Sequence, residues 1–259
     1  SVTDMYGLFM GCSNLTSINV KNWNTEQVTS MNSVFKSCSK LTELDISGLN
    51  TAKVTDMGYF FGMCSSLQEI TLGSAFNTAK VTDMSDMFNS AGISDFSAIG
   101  GWNTLNGANM SGMFRDNQSL STMSGLAGWN TSSVTDMSEM FYNDRSLVSV
   151  PALSGWNTAS LTNTSGMFYN NRALTNISSL AGWNTSSITN MSGMFYSART
   201  LSDISALASW DTSNVTDMSA VFRGSADFTL TSSLSDISVL ANWNTSSVTN
   251  MSHMFDGTL

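Results

Sequence analysis

Trp129-Asn-Thr-Ser-Ser-Val134-Thr-Asp-Met137-Ser-Glu-Met140-Phe141-Tyr142 states once a theme that the chain repeats from end to end. Trp stands at 23, 102, 129, 156, 183, 210 and 243, and Leu49 and Phe76, each followed by Asn-Thr, fill the one long gap. Nine units result, spaced by 26 or 27 residues except for one of 33; residues 1–22 form a half unit ahead of them. A single coil of this length cannot bury its own apolar face, so such repeats stack into a solenoid.

Aligning the units exposes columns. Eight residues after each Trp-type position comes Met5, Met31, Met57, Met84, Met110, Met137, Thr164, Met191, Met218 or Met251. Four residues further on the residue is always Phe, from Phe9 and Phe35 through to Phe222 and Phe255. The column between them is apolar as well, with Val34, Phe60, Met113 and Met167 among its members. Apolar residues at i, i+3 and i+4 predict a short helical turn. Just before the Met column lies Asp, Asn or Ser, the residue types that cap a helix N-terminus. Leu41-Thr-Glu-Leu-Asp-Ile and Leu174-Thr-Asn-Ile-Ser-Ser-Leu predict a strand, with apolar residues inward and polar ones outward. The expected fold is α/β: a right-handed leucine-rich-repeat solenoid of nine to ten 26–27-residue coils, a single domain over residues 1–259, built of short strands and short helical turns. The 33-residue unit is expected to bulge as a loop between Arg223 and Leu234.

Composition narrows the function. Charged residues are 11% of 259, the net charge is −9, and there is one His. An acidic chain lacks the basic face that nucleic acid requires. One His excludes a multi-histidine zinc site and gives a Ser or Cys nucleophile no general base within the repeats. No apolar run approaches the roughly 20 residues of a membrane span. The chain opens on Ser1-Val-Thr-Asp-Met with no leader-like stretch, and reads as an excerpt of a longer protein, cut within a repeat at both ends.

Val134-Thr-Asp-Met-Ser-Glu-Met-Phe, then Ser146-Leu and the next Trp156-Asn-Thr, resembles the BspA-like leucine-rich-repeat surface proteins. Phe35-Lys-Ser-Cys-Ser-Lys-Leu-Thr-Glu-Leu resembles them most, through its F-x-x-C-x-x-L stretch. Later units lack the Cys and carry one extra residue between strand and Trp. The resemblance implies a secreted or surface-anchored bacterial protein, non-catalytic, that adheres to a protein or glycan ligand on a host or neighbouring cell. It implies no cofactor and does not specify the ligand. A passive stalk presenting another domain is the alternative, as is a carbohydrate- or ice-binding solenoid that uses the Trp and Thr files.

Most chemically suggestive residues fall into columns with structural readings. Fifteen of the 18 Met lie in the two apolar columns, which points to packing and not to a metal site. Cys12, Cys38 and Cys64 share one column with Ala91, Asn117, Asp144, Asn171, Ala198 and Ser225; reduced structural thiols are expected there. The Trp position accepts Leu and Phe, so it is read as a core wedge. His253 shares its column with Gly, Ser, Tyr, Asp, Glu and Ala and is read as solvated. One departure from the repeat stands out. Tyr142, Tyr169 and Tyr196 occupy one column in consecutive coils, with Arg145, Arg172 and Arg199 three residues on, and Arg115 and Arg223 before and after the tyrosines. Tyr and Arg at i and i+3 would share a helical face, and both types are enriched at binding hot spots. These eight residues are the candidate ligand-binding strip.

Overall fold

The structure is a computed structural model, and residues 1–224 and 232–258 of it are described. Nine parallel bridges link coil to coil in one unbroken column, Asp4 to Ser30 to Asp56 to Asp83 to Asn109 to Asp136 to Asn163 to Asn190 to Asp217 to Asn250. Each coil is therefore in register with the next, at the interstrand spacing of about 4.8 Å. The stack is a repeat solenoid, as the columns require. Part of the segment expected to bulge as a loop, residues 225–231, lies outside the described residues.

The expected helical turn is absent. No α-helix occurs among the described residues. Instead the chain beyond each Met-column residue runs through overlapping β-turns. In the first coil the N–H groups of Leu8, Met10 and Cys12 donate to the carbonyls of Met5, Gly7 and Phe9, at 3.2, 2.9 and 3.0 Å. The alternating N–H groups of Met5, Gly7, Phe9 and Gly11 donate to Ser30, Asn32, Val34 and Lys36 of the next coil. Turns satisfy half the backbone and the neighbouring coil the other half, so the segment needs no helix. The turns that open at the Met and Phe columns demand a left-handed residue at their third position. Two residues after the Met column, φ lies between 52° and 61° in all ten coils, and the position six residues on is left-handed in nine. The variability around His253 thus marks a backbone constraint as well as an exposed position.

The Asp/Asn/Ser column caps turns and not helices. Asp83, Asp136 and Asp217 each accept the N–H two residues ahead at 2.8 Å. The Asn after each Trp-type residue does the same in its own turn, as in Asn130 with Ser132 at 3.0 Å. The next residue, Thr, is buried from Thr25 to Thr212, and its hydroxyl donates to the following coil's Asn or Asp carbonyl at 2.8–3.0 Å.

The expected strand divides into two solutions. Early coils pair as parallel strands, β1 (Glu43–Asp45) with β2 (Glu69–Thr71), Leu44 opposite Ile70. Later coils form 3-10 segments: Ser97–Ile99, Ser124–Leu126, Pro151–Gly155, Ser178–Gly182, Ser205–Leu207 and Ser238–Asn242. The Trp column follows this division. Trp129, Trp156, Trp183, Trp210 and Trp243 donate Nε1–H to Ile99, Leu126, Leu153, Leu180 and Leu207, one 3-10 carbonyl in each preceding coil, at 3.1–3.2 Å. Trp102 follows a strand coil, and its buried Nε1 has no partner. Leu49 and Phe76 lie in that same strand-type region, where an indole N–H has nothing to gain.

Inside, the Phe column forms one continuous ladder of near-parallel rings from Phe9 to Phe255, centroids 5.2–6.3 Å apart. Thr164, the one polar member of the Met column, is fully buried and donates to the Asn190 carbonyl at 3.2 Å. Cys12 is exposed; Cys38 and Cys64 are buried and unlinked, each donating Sγ–H to a Phe carbonyl of the preceding coil, Phe9 at 3.3 Å and Phe35 at 3.0 Å. Further along that column the polarity changes. Asp144 Oδ1 accepts the Asn117 N–H at 2.7 Å and Asn171 Oδ1 accepts the Asp144 N–H at 2.8 Å, while Asp144 Oδ2, Asn117 Oδ1 and Asn171 Nδ2 are buried without partners.

Candidate functional site

The tyrosine column is brought together by stacking between coils, as expected, but on a run of β-turns and not on a helical face. Tyr142 and Tyr169 rings lie 4.5 Å apart, Tyr169 and Tyr196 4.2 Å, all near parallel. Arg115 and Arg223 belong to the same file and close its two ends. The Arg115 guanidinium sits 4.3 Å from the Tyr142 centroid and that of Arg223 5.6 Å from Tyr196, cation–π contacts. Arg115 is anchored by Asp116 (Nε to Oδ2, 3.2 Å) and by Glu139 through Nη1, and Arg223 by Asp256 at 3.2 Å. Burial works against the Arg115 charge, but Glu139 and Asp116 outweigh it and raise its affinity for the proton. The ring faces are therefore covered along the whole file, and the Tyr169 side chain hydrogen-bonds those of Tyr196 and Tyr142.

The second arginine file is placed by a feature that the sequence reading passed over. Asn143 and Asn170 both adopt left-handed backbone, φ 62° and 59°. Their side chains form a relay: Asn170 Nδ2 donates to Asn143 Oδ1 and Asn143 Nδ2 to Asp116 Oδ1, each at 2.5 Å. The same two Asn Oδ1 atoms accept Nε–H from Arg172 and Arg145 at 2.8 Å. Arg145 is exposed; Arg172 and Arg199 are half-buried. The tyrosine at the centre of the file stays protonated across the physiological range. Burial pushes Tyr169 up, and its neighbours Tyr196 and Tyr142 push it further.

The two regular files are not available as a binding face. From Trp102 to Trp243 the indoles are buried, with Trp23 at the end of the stack 37% exposed. The Thr file beside them is buried up to Thr212. On the strand side, Glu43 pairs in register with Glu69, and Asp45 bonds Lys21 at 3.1 Å. Asp203 and Asp236 cap the 3-10 segments that follow them, each accepting a Ser N–H at 2.8 Å. No helix among the described residues is long and apolar enough to cross a membrane.

The fold and its columns define a repeat solenoid with a stacked aromatic–arginine strip on its surface. The chain belongs to the family described as Mycoplasma protein of unknown function, DUF285, whose model matches residues 1–95, 71–179 and 171–259. No curated protein matches the chain. Among solved structures it is similar to internalin C2 from Listeria monocytogenes, 18% identical over 92% of this chain and 81% of the other, with a TM-score of 0.33. It is similar also to a leucine-rich cell surface protein from Faecalibacterium prausnitzii, 18% identical over 97% and 76%, TM-score 0.43. A leucine-rich-repeat protein from Bacteroides ovatus is 15% identical over 97% and 79%, TM-score 0.28. Leucine-rich-repeat surface proteins are the kind to which the sequence resemblance pointed.

Proposed function

We propose that this chain is a non-catalytic ligand-binding repeat domain, displayed on or outside a bacterial cell. Its coils wind to the right, as crossovers between parallel strands nearly always do. Its contact strip is Tyr142, Tyr169 and Tyr196 with Arg145, Arg172 and Arg199, flanked by Arg115 and Arg223. The partner is a protein or glycan on a host or neighbouring cell. One observation carries this reading. Among columns dictated by packing, three consecutive coils place matched Tyr and Arg side chains on the surface, and the Asn143–Asn170 relay fixes two of the arginines. Like charges one coil apart repel, so a purely solubilising surface gains nothing from that order. The test is solid-phase binding to a panel of purified extracellular-matrix proteins and sulfated glycans, with wild type and with R145S/R172S/R199S. Wild type is expected to capture a member of the panel, and the folded triple variant to lose that capture. Equal binding by the variant overturns the strip. Silence of wild type across the panel favours the stalk reading.

A further inference from the structure

Beside the tyrosine stack runs an open trough of about 420 Å³, a size ordinary for small-ligand sites. It is lined by Tyr142, Tyr169 and Tyr196 and by the hydroxyl file Ser165, Ser192 and Ser219. Gly166 and Gly193 make the floor, and Glu139 stands at one end. The floor is low because these two coils have glycine where other coils carry Tyr59, Asp86 or Glu139. A Cβ at Gly166 would lie 3.3 Å from Glu139 Cγ, and one at Gly193 3.6 Å from Tyr169 Cδ2.

We propose that this trough holds a linear, uncharged oligosaccharide lying along the solenoid axis, one hexopyranose ring to a coil. Chemistry and spacing both select it. Apart from Glu139, the polar side chains lining the trough are hydroxyls, and a hydroxyl both donates and accepts, which suits the hydroxyl pairs of a sugar ring. The ring faces of the tyrosines are taken by one another, so recognition runs through hydroxyls and ring edges. Coils repeat at about 4.8 Å, close to the length of one pyranose in an extended chain. A peptide strand advances about 3.3 Å per residue, so it coincides with the coils only at every third residue and presents no residue in step at the middle of the three hydroxyl pairs. Strand addition has no donors on the floor either, because Gly166 N–H and Gly193 N–H already bond the Ser192 and Ser219 carbonyls at 2.8 Å. This inference shares the tyrosines with the arginine strip and nothing else.

The experiment is titration of cellotetraose into the folded chain, read by saturation-transfer NMR and calorimetry, with maltotetraose, chitotetraose and a heparin tetrasaccharide alongside. At least one neutral tetrasaccharide is expected to bind at millimolar concentration. Gly193→Tyr is expected to weaken it by about tenfold or more, the loss of one good subsite. Tyr59, in the same column at φ 53°, shows that the backbone there accepts a tyrosine. Ser192→Ala/Ser219→Ala, which leaves the backbone untouched, is expected to weaken it several-fold and covers the case in which Gly193→Tyr does not fold. R145S/R172S/R199S is expected to bind the neutral sugar as wild type does. Binding of heparin alone overturns the trough and leaves the arginine strip standing. Neutral-sugar binding that survives the serine pair, or that the arginine variant abolishes, also overturns it.

Discussion

Asp144 is the least comfortable side chain in the core, and Asp144→Asn is expected to stabilise the protein at neutral pH. The carboxyl is fully buried. Burial pushes its pKa well above the usual carboxylate range, the Asn117 N–H offsets part of that, and nearby Asp116 adds to it. One oxygen accepts the Asn117 N–H, and the other, Oδ2, has no partner. An amide keeps the accepting oxygen and removes the charge. The next coil shows that arrangement, since Asn171 Oδ1 accepts the Asp144 N–H at 2.8 Å while its Nδ2 is buried without a partner, so the gain lies in the charge removed and not in a new hydrogen bond. An unpartnered buried polar group costs about 1–3 kcal/mol, and more when it is charged, so removing the charge should return roughly that much at pH 7.5. For a domain of this size that is a rise in Tm of roughly 2–10 °C. The pH dependence runs opposite to that of an ordinary salt-bridged Asp. Because the folded-state pKa is raised, the native state binds more protons than the unfolded one. Wild type therefore loses stability as pH climbs above the unfolded-state value of 3.8. The gap between variant and wild type should be widest near neutrality and close as pH falls towards 4. Thermal melts of both proteins from pH 4 to 8 provide the check. A gap independent of pH, or a variant less stable at pH 7.5, would refute the account.

Three further outcomes follow from the coil geometry. Deleting residues 156–182, one whole period, should leave a folded protein with a single cooperative melt, because coils bond only their neighbours; a broadened or absent transition by circular dichroism would contradict this. Trp156→Phe should cost about 0.5–1.5 kcal/mol beyond the packing change, for the lost bond to Leu126, whereas Trp102→Phe forfeits no hydrogen bond; equal losses in urea melts would count against the 3-10 carbonyl as the reason for Trp. Cys12 alone should react promptly with a thiol reagent in the native state. Burial lifts the Cys38 and Cys64 thiols to about 11 and about 12, so stoichiometric labelling of all three at pH 8 without denaturant would show the packing to be wrong.

The repeat, its register and the core columns were legible because burial is what repetition preserves: Met31, Phe35 and Trp129 are all inside. The short helix was not, since i, i+3, i+4 apolar spacing fits a run of β-turns as well as it fits a helical face. The distinguishing signal was present in Gly7, Gly112, Gly166 and Gly193, and in the Asn, Asp and Ser residues four positions later, types that tolerate positive φ. Glu139, Tyr59 and His253 in the same column hid it by looking like surface variation. The candidate strip was legible as composition, but its geometry was not. The expected helical face gave way to β-turns, while the tyrosines stack from coil to coil, because parallel stacking sets like against like. The trough was invisible for a related reason: a glycine read as a gap in a column is, on the folded surface, the floor of a groove.

The hydrogen bonds that join Met5, Gly7, Phe9 and Gly11 to the next coil point along the solenoid axis. If the two ends of the stack are pulled apart, these bonds carry the load a few at a time, in series, and not as one shearing sheet. A coil at the end then peels away without disturbing those behind it. Each coil of about 27 residues that lets go releases roughly 90–95 Å of chain, so the molecule yields in small, equal steps at low force. A domain anchored at one end and holding a ligand at its middle would let out slack under sudden drag before the contact itself is loaded.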